Sequence, residues 1–515
     1  MSERAFEVQP AEPRQTRFAL FVAALGVATV ASAILLGPLF ALLPLGAWLG
    51  LVALSKLPLR VPLMVMMFIG LTFENPGDVP ADGKWKSPLY SIGKLLLSQL
   101  KHSIPNSALV MTGSDLILAL LVCIYFYRRV AGSDLDRRGL VPTPRPLVWA
   151  AIGCVAVSLA MWLWGVARGG QNRFALWQFH HINYLPVMFL FMQVAIPGND
   201  KWRGFARLVV AAACVKAVLA ICLRHALPLN AYVTTHHDSM LFATATCLVL
   251  AQTLEKPSAR TVVRNLSILL LLVMGMLAND RRLVWAQIGL AVIFMFVLAR
   301  RTKLKVFVTR CVLFSLPVLL LYVAVGWNSG SGVFAPVGTL RSMADSQANK
   351  SSEWRDLENF NLVATVKSHP LAGAGFGHPF EMAVELPDVV SEYELEPYLP
   401  HNSVLGIWAY TGYIGFSLIW MMLALTMYFA ARAYRYAIES DDRIAALTSF
   451  CVVVIYMVHC YGDMALGTWT SIYLVSLAMV VAGKVAVKVG AWPDAVRAQR
   501  PRVVAVPLPL RRLHD

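Results

Sequence analysis

The residues best suited to chemistry in this chain of 515 residues are arginines and histidines that lie beside long apolar runs. Arg281 and Arg282 separate two such runs so closely that both must lie at or just inside a membrane interface. Arginine is costly in a bilayer, so the pair calls for water, for Asp280 as a counterion, or for an anionic ligand. A diphosphate suits the pair because a guanidinium can donate to two oxygens at once.

A second arginine, Arg355, lies in a polar segment far from the first pair. Residues 353–367 lack Gly and Pro, which favours a helix, and Arg355 shares one side of it with Leu362 and Val366. Its partner is either Glu358, three residues on, or a bound anion, and the sequence leaves both open. A separate apolar stripe at helical spacing consists of Trp354, Leu357, Phe360 and Ala364.

His401 ends this polar segment and directly precedes an apolar run, so we expect it at the membrane surface. Histidine is the side chain best suited to accept a proton near neutral pH, which makes His401 a candidate general base. Asn402 beside it could orient the ring or bind substrate. His378 is the reserve candidate. The alternative for each histidine is a purely structural role at the membrane interface.

Three glycines, Gly373, Gly375 and Gly377, also lie in this segment. Their spacing differs from a nucleotide-binding GxGxxG, and no strand precedes them, so we interpret them as closely packed backbone.

A further cluster, His236, His237 and Asp238, falls at the start of another apolar run. Adjacent histidines on a helix point in different directions, so both rarely bind one ion. We therefore interpret the cluster as binding substrate or neighbouring residues by hydrogen bonds. The sequence predicts no metal site and no cofactor.

The amino-acid composition indicates which kind of secondary structure positions these residues. Apolar residues make up 58% of the chain and charged residues 14%, against about a quarter charged in soluble domains. Apolar runs of roughly 16 to 20 residues are long enough to cross a bilayer as helices. The fold class predicted is an all-α polytopic membrane protein with about 14 transmembrane helices and one long periplasmic loop bearing short helices.

The net charge of +16 lies in short basic clusters between apolar runs, which orients helices and argues against nucleic acid as a partner. With the N-terminus in the cytoplasm, every histidine except His514 lies outside or at an outer helix end. The predicted division is a cytoplasmic tail (1–17), a transmembrane region (18–325), a periplasmic loop with the candidate catalytic residues (326–402), C-terminal transmembrane helices (403–487) and a basic cytoplasmic tail (488–515).

The order of these motifs resembles the O-antigen ligase and polymerase family. The resemblance covers about residues 230–430 and is best over 353–416. It consists of an arginine, a helix, and three stretches that match the family pattern: His369-Pro370-Leu371-Ala372-Gly373-Ala374-Gly375-Phe376-Gly377, His401-Asn402-Ser403-Val404-Leu405, and Gly412-Tyr413-Ile414-Gly415-Phe416.

The resemblance implies an inner-membrane enzyme whose site faces the periplasm. Such enzymes transfer a glycan from undecaprenyl diphosphate to a hydroxyl on a lipid A core or another glycan, with inversion and without a metal ion. The implied partners are the lipid-linked donor, the acceptor and membrane lipid. Arg281 or Arg282 matches the family's first arginine, Arg355 its loop arginine, and His401 its loop histidine. The chain departs from the family at 236–239, where many members carry an asparagine motif.

A transporter or flippase of lipid-linked glycans is the alternative function, because many of these also have about 14 helices. Transporters usually show internal repeats and charged residues deep in their spans. This chain shows no visible repeat, and Lys216 is its one basic residue deep in a span, so the enzyme is favoured.

Overall fold

The computed structural model describes most of the chain between residues 13 and 492. The described ranges are 13–36, 43–73, 90–98, 111–133, 135–136, 140–198, 202–226, 233–234, 236–329, 331–334, 337–338, 340–341, 350–386, 396–463 and 465–492. Regular secondary structure in these ranges is helical, without strands.

Sixteen α-helices are described, in the order in which they occur along the chain. They are α1 (Pro13–Leu36), α2 (Leu43–Lys56), α3 (Arg60–Thr72), α4 (Tyr90–Leu97), α5 (Gly113–Val130), α6 (Arg145–Ala167), α7 (Asn172–Ala195), α8 (Trp202–Ala226), α9 (His236–Glu255), α10 (Ala259–Asn279), α11 (Leu283–Leu298), α12 (Lys303–Gly326), α13 (Lys350–Ser368), α14 (Ser403–Tyr436), α15 (Ser440–Gly462) and α16 (Trp469–Lys488). Short 3-10 turns lie at Gly332–Phe334, Glu396–Tyr398 and Ala465–Gly467.

The all-helical membrane architecture is confirmed, but the number of spans is not. Within the described ranges, seven helices are long and apolar enough to cross a membrane, or eight if the bent pair Pro44–Lys56 and Arg60–Thr72 is one span. Each predicted run does overlap a described helix. The difference arises because several helices are short or carry polar residues along their length, as α7 and α9 do.

Helix α16 forms the centre of the bundle, since every residue of its most apolar 18-residue stretch is buried. It packs against α3, α7, α9, α14 and α15. A helix that is apolar on every side belongs in the interior of a helical array. Helix α12 is the opposite case, because no residue of its most apolar stretch is buried and Phe314 is 88% exposed. Such a surface requires lipid or another protein around it.

The two ends of the bundle differ in chemistry. At one end, Arg203 and Lys256 pair with Asp441, Arg443 pairs with Glu255, and the Nζ of Lys488 lies 3.0 Å from Asp442. Arg128 pairs with Asp136 at 2.6 Å and donates to the backbone carbonyls of Leu54, in the last turn of α2, and Leu57, just after α2. The candidate catalytic residues lie at the other end.

Helix α13 confirms the helix predicted over 353–367, but its most deeply buried face is not the predicted apolar stripe. Phe360 is 58% exposed, whereas Glu358, Asn361 and Thr365 are fully buried. Leu362 joins Ala409 of α14 and Phe380 in a small separate core. The buried face of α13 is therefore mostly polar, and it lies toward the turn that carries His401.

The three glycines of the loop are closely packed backbone, as predicted. All three have positive φ, at 70°, 83° and 87° for Gly373, Gly375 and Gly377. A Cβ on Gly375 would lie 2.7 Å from the Cα of Gly165 in α6, and one on Gly373 would lie 2.5 Å from the backbone N of Gly412. These contacts fix the loop after α13 against α6 and against the break in α14 at Gly412.

Candidate functional site

His401 faces a buried carboxylate at the start of α14. Its Nδ1 lies 3.5 Å from Oε1 of Glu358, and the same oxygen accepts the backbone N–H of His401 at 3.0 Å. Glu358 is fully buried, whereas the imidazole is 29% exposed. The indole of Trp354 packs edge-on against the ring, with centroids 5.0 Å apart. Helix α13 thus holds one side of the imidazole and leaves part of the ring accessible.

Asn402 was expected to orient the ring of His401 or to bind substrate, but its hydrogen bonds go to the backbone of α14 and to α13. Its Oδ1 accepts the backbone N–H groups of Val404 and Leu405, which caps α14, and its Nδ2 donates to Asn359 at 2.9 Å. The side chain therefore joins α14 to α13. Glu358, rather than Asn402, is the residue that faces the Nδ1 of His401.

Arg281 lies on a tight turn between α10 and α11. Asp280 adopts a left-handed conformation (φ 56°, ψ 31°) that ends α10. The preceding Asn279 accepts two hydrogen bonds from Thr234, from its backbone N–H and its hydroxyl. Arg281 is 9% exposed and donates to the backbone carbonyl of Thr234 at 3.3 Å. Arg282 follows at the half-buried N-cap of α11.

Arg281 also contacts His236 at the start of α9, with Nη1 and Nε2 2.6 Å apart. The other ring nitrogen of His236 lies 3.7 Å from Oδ2 of Asp463, at the end of α15. The charges of Arg281 and Arg355 both act electrostatically on this imidazole. Arg281 is thus in contact with His236, and Arg355 acts on it from a greater distance, without a direct hydrogen bond in the part of the chain that the structure describes.

The His401 turn and the Arg281 cluster are directly connected through α15. The hydroxyl of Ser403 donates to the backbone carbonyl of Asp463 at 3.2 Å and accepts the N–H of Ala465 at 3.1 Å. Asp463 therefore contacts the α14 start through its backbone and His236 through its carboxylate. The two groups of candidate residues form one site at one end of the bundle.

Residues 267–420 match a protein-family model described as O-antigen ligase. The match supports membership of the O-antigen ligase and polymerase family. The family prediction made from the sequence is confirmed. No curated protein matches the chain. The match supports glycan transfer of the O-antigen ligase and polymerase type in general, which implies lipid-linked glycan and acceptor substrates, and together with the apolar helices it supports a multi-pass membrane protein.

The O-antigen ligase match begins in α10 and ends within α14. It includes all three predicted arginines, Arg281, Arg282 and Arg355, as well as His378 and His401. It excludes His236 and the end of α15. The cluster around His236 is therefore built partly from the matched segment and partly from helices on either side of it.

The remaining predicted residues are placed as follows. His237 stacks on the buried His459 of α15, with ring centroids 5.5 Å apart. Asp238 is buried with Lys216 of α8, at 3.3 Å, so the lysine noted deep in a span has a carboxylate partner. His378 directs Nε2 to the backbone carbonyl of Gly165, at 3.0 Å, on the α6 side of the loop.

Sequence reasoning missed Asp463 and His459, and it considered Glu358 only as a partner for Arg355. The spacing of His459 and Asp463, four residues apart at the end of an apolar run, was the available signal. No sequence pattern pairs Glu358 with His401, because the chain between them is long and only the docking of α13 on α14 brings them together.

Proposed function

We propose that this protein transfers a glycan from undecaprenyl diphosphate to an acceptor hydroxyl, at the periplasmic face of the inner membrane. The observation that carries the proposal is the contact of Arg281 with His236, whose other ring nitrogen faces Asp463, the residue that also accepts a hydrogen bond from Ser403 near His401. Arg355 is near enough to act electrostatically on the same imidazole. A lipid diphosphate needs concentrated positive charge, and an acceptor hydroxyl needs a base. Both are present at one end of the bundle.

The arginines act on the leaving group. When the glycosidic bond breaks, the diphosphate gains negative charge, and fixed guanidinium groups stabilise it more in the transition state than in the ground state. The N-termini of α9, α11, α14 and α16 lie at this same end, and helix N-termini favour anions. Arg281 is the more deeply buried of the adjacent pair and is held in place by His236 and Thr234, so we assign it the diphosphate and give Arg282 a supporting role.

His401 acts on the acceptor. Glu358 behind Nδ1 favours the tautomer that carries its proton on that nitrogen, which leaves Nε2 as the acceptor. Nε2 removes the hydroxyl proton while the oxygen attacks the anomeric carbon from the side opposite the diphosphate, which inverts that carbon. The imidazolium formed is stabilised by the buried carboxylate. His236, His237 and Asp238 position Arg281 and the start of α9, and Asn402 positions His401 by capping α14 and holding it against α13.

The acceptor is a glycan hydroxyl, on a lipid A core for a ligase or on another repeat unit for a polymerase. The arginines supply the counter-charge that other transferases take from a metal ion, so no cofactor enters this scheme. The polar buried face of α13 matches a loop that closes over substrate and holds catalytic groups, rather than one that only connects spans.

The test is turnover by purified protein in nanodiscs, with lipid-linked donor and acceptor, for Arg281→Ala, Arg282→Ala, Arg355→Ala and His401→Ala. Arg432→Ala, an exposed arginine of α14 that contacts Tyr428, is the matched arginine control, and His369→Ala is the histidine control. We expect Arg281→Ala and Arg355→Ala to weaken donor binding and turnover together.

His401→Ala should keep donor binding and lose about 10² to 10⁴ in rate, the usual contribution of a positioned base. Full turnover by all four variants would refute the proposed site. Movement of intact donor across the bilayer, without any glycan transfer, would instead support the transporter alternative.

A further inference from the structure

His459 is a fully buried histidine that the proposed reaction does not use. It lies in the last turn of α15, and its side chain is 0% exposed. Neither Nδ1 nor Nε2 makes a hydrogen bond with any residue that the structure describes. A buried imidazole without hydrogen bonds is unfavourable, and such groups in folded proteins usually have a ligand or an ordered water as their partner.

Two further ligand-type side chains lie beside it. Oδ2 of Asp463, one helical turn later, is 4.0 Å from Nε2 of His459. His237 of α9 lies with its ring nearly parallel to that of His459, at an interplanar angle of 13°. One ligand atom from each of the three residues lies within 4.8 Å of the other two.

We propose that His237, His459 and Asp463 form a binding site for a divalent transition-metal ion, with Zn²⁺ as the best-fitting ion. Two imidazoles and one carboxylate are a donor set that Zn²⁺ uses with a fourth position open to water or a ligand. Mg²⁺ and Ca²⁺ prefer oxygen ligands and fit this set less well.

The side chains need only a small adjustment to bind. Zinc–ligand distances of about 2.0–2.2 Å place tetrahedral ligand atoms roughly 3.3–3.6 Å apart. From a separation of at most 4.8 Å, this closure of about 1 to 1.5 Å is within reach of side-chain rotation.

The sequence-based prediction of no metal site treated His236, His237 and Asp238 as one cluster, because they are adjacent in the chain. The fold separates these three: His236 contacts Arg281, Asp238 contacts Lys216, and His237 turns toward His459.

A metal ion bound at this site would cross-link the start of α9 to the end of α15. Asp463 lies 3.7 Å from the Nδ1 of His236, which in turn contacts Arg281, so a bound ion would fix the carboxylate that orients this imidazole. This is a positioning role, and metal binding itself can be measured whether or not the proposed glycan transfer is correct.

The experiment uses full-length protein in nanodiscs, stripped of metal with a chelator and then titrated with Zn²⁺ or Co²⁺. We expect one ion per chain by elemental analysis, and for Co²⁺ the visible absorption of a four-coordinate site. His459→Gln, His237→Gln and Asp463→Asn should each weaken binding at least about tenfold, because even second-shell changes cost that much. His369→Gln is the matched control, since this histidine also faces a carboxylate, that of Glu381 at 3.6 Å.

Two outcomes would overturn the proposal. One is wild-type protein that binds no more Zn²⁺ than the His237→Gln/Asp463→Asn double variant. The other is single variants that bind as tightly as the His369→Gln control. If His459→Gln reduces the amount of folded protein, His237, which is less deeply buried than His459, provides the decisive variant. Zn²⁺ should raise the thermal midpoint of wild-type and control protein but not that of His237→Gln.

Discussion

Replacement of Glu358 by glutamine removes one charge from the buried side of His401 and leaves an oxygen to accept its backbone N–H. The carboxylate and Nδ1 are 3.5 Å apart. At an effective dielectric constant of about 20, a carboxylate and an imidazolium at this distance attract by roughly 5 kcal/mol. Solvent screens part of this, because the imidazole is 29% exposed.

After screening, we expect a net electrostatic effect of about 1.5–3 kcal/mol, the range found for close polar contacts to a charged group. If His401 becomes an imidazolium in the transition state, Glu358→Gln should therefore lower kcat by about 10- to 100-fold. The assay is glycan transfer at saturating lipid-linked donor, expressed per folded molecule, with the thermal midpoint measured alongside because Glu358 is buried.

Glu381→Gln is the matched control. Glu381 faces His369 at 3.6 Å, nearly the same geometry, but it is 44% exposed and lies outside the proposed site. An exposed pair of this kind contributes about 0–1 kcal/mol, so its loss should change kcat little. A Glu358→Gln protein that turns over as fast as the Glu381→Gln protein, while His401→Ala is slow, would refute the proposed role of the carboxylate.

Three further predictions concern topology and stability. A reporter active only in the periplasm, inserted at Ser346 in the predicted loop 326–402, should be active; an inactive reporter there, with a reporter active only in the cytoplasm working at the same position, would contradict the assignment. Gly375→Ala should destabilise the protein by about 1–3 kcal/mol or more, since φ is 83° and the new Cβ would contact α6. Gly289→Ala, inside α11, meets no atom within 4 Å and should not lower the thermal midpoint, because alanine is the better helix former. Lys216→Met should cost about 3–5 kcal/mol because it removes the cation that faces the buried carboxylate of Asp238, and adding Asp238→Asn should restore part of it. Equal midpoints for the single variant and wild type would contradict the buried pair.

Local sequence properties predicted the helices and the identity of the charged residues. Apolar runs and the absence of Gly and Pro over 353–367 follow from short-range physics, so α13 and the helices that overlap the predicted runs were predictable. The glycines at 373–377 were correctly interpreted as packed backbone for the same reason, because residues without a Cβ mark close approach. The count of about 14 spans was not confirmed, since apolar length does not say which helices cross a bilayer.

The sequence by itself predicted a helical membrane protein that resembles the O-antigen ligase family, with Arg281 or Arg282, Arg355 and His401 as candidate residues, and a family model described as O-antigen ligase matches residues 267–420. Only the tertiary structure decided their partners: Glu358 for His401, His236 for Arg281, and Asp463 for both His236 and the start of α14. The physical reason is that these contacts join residues on different helices. Helical periodicity gives the face on which a side chain lies, but helix packing alone decides which other face it meets.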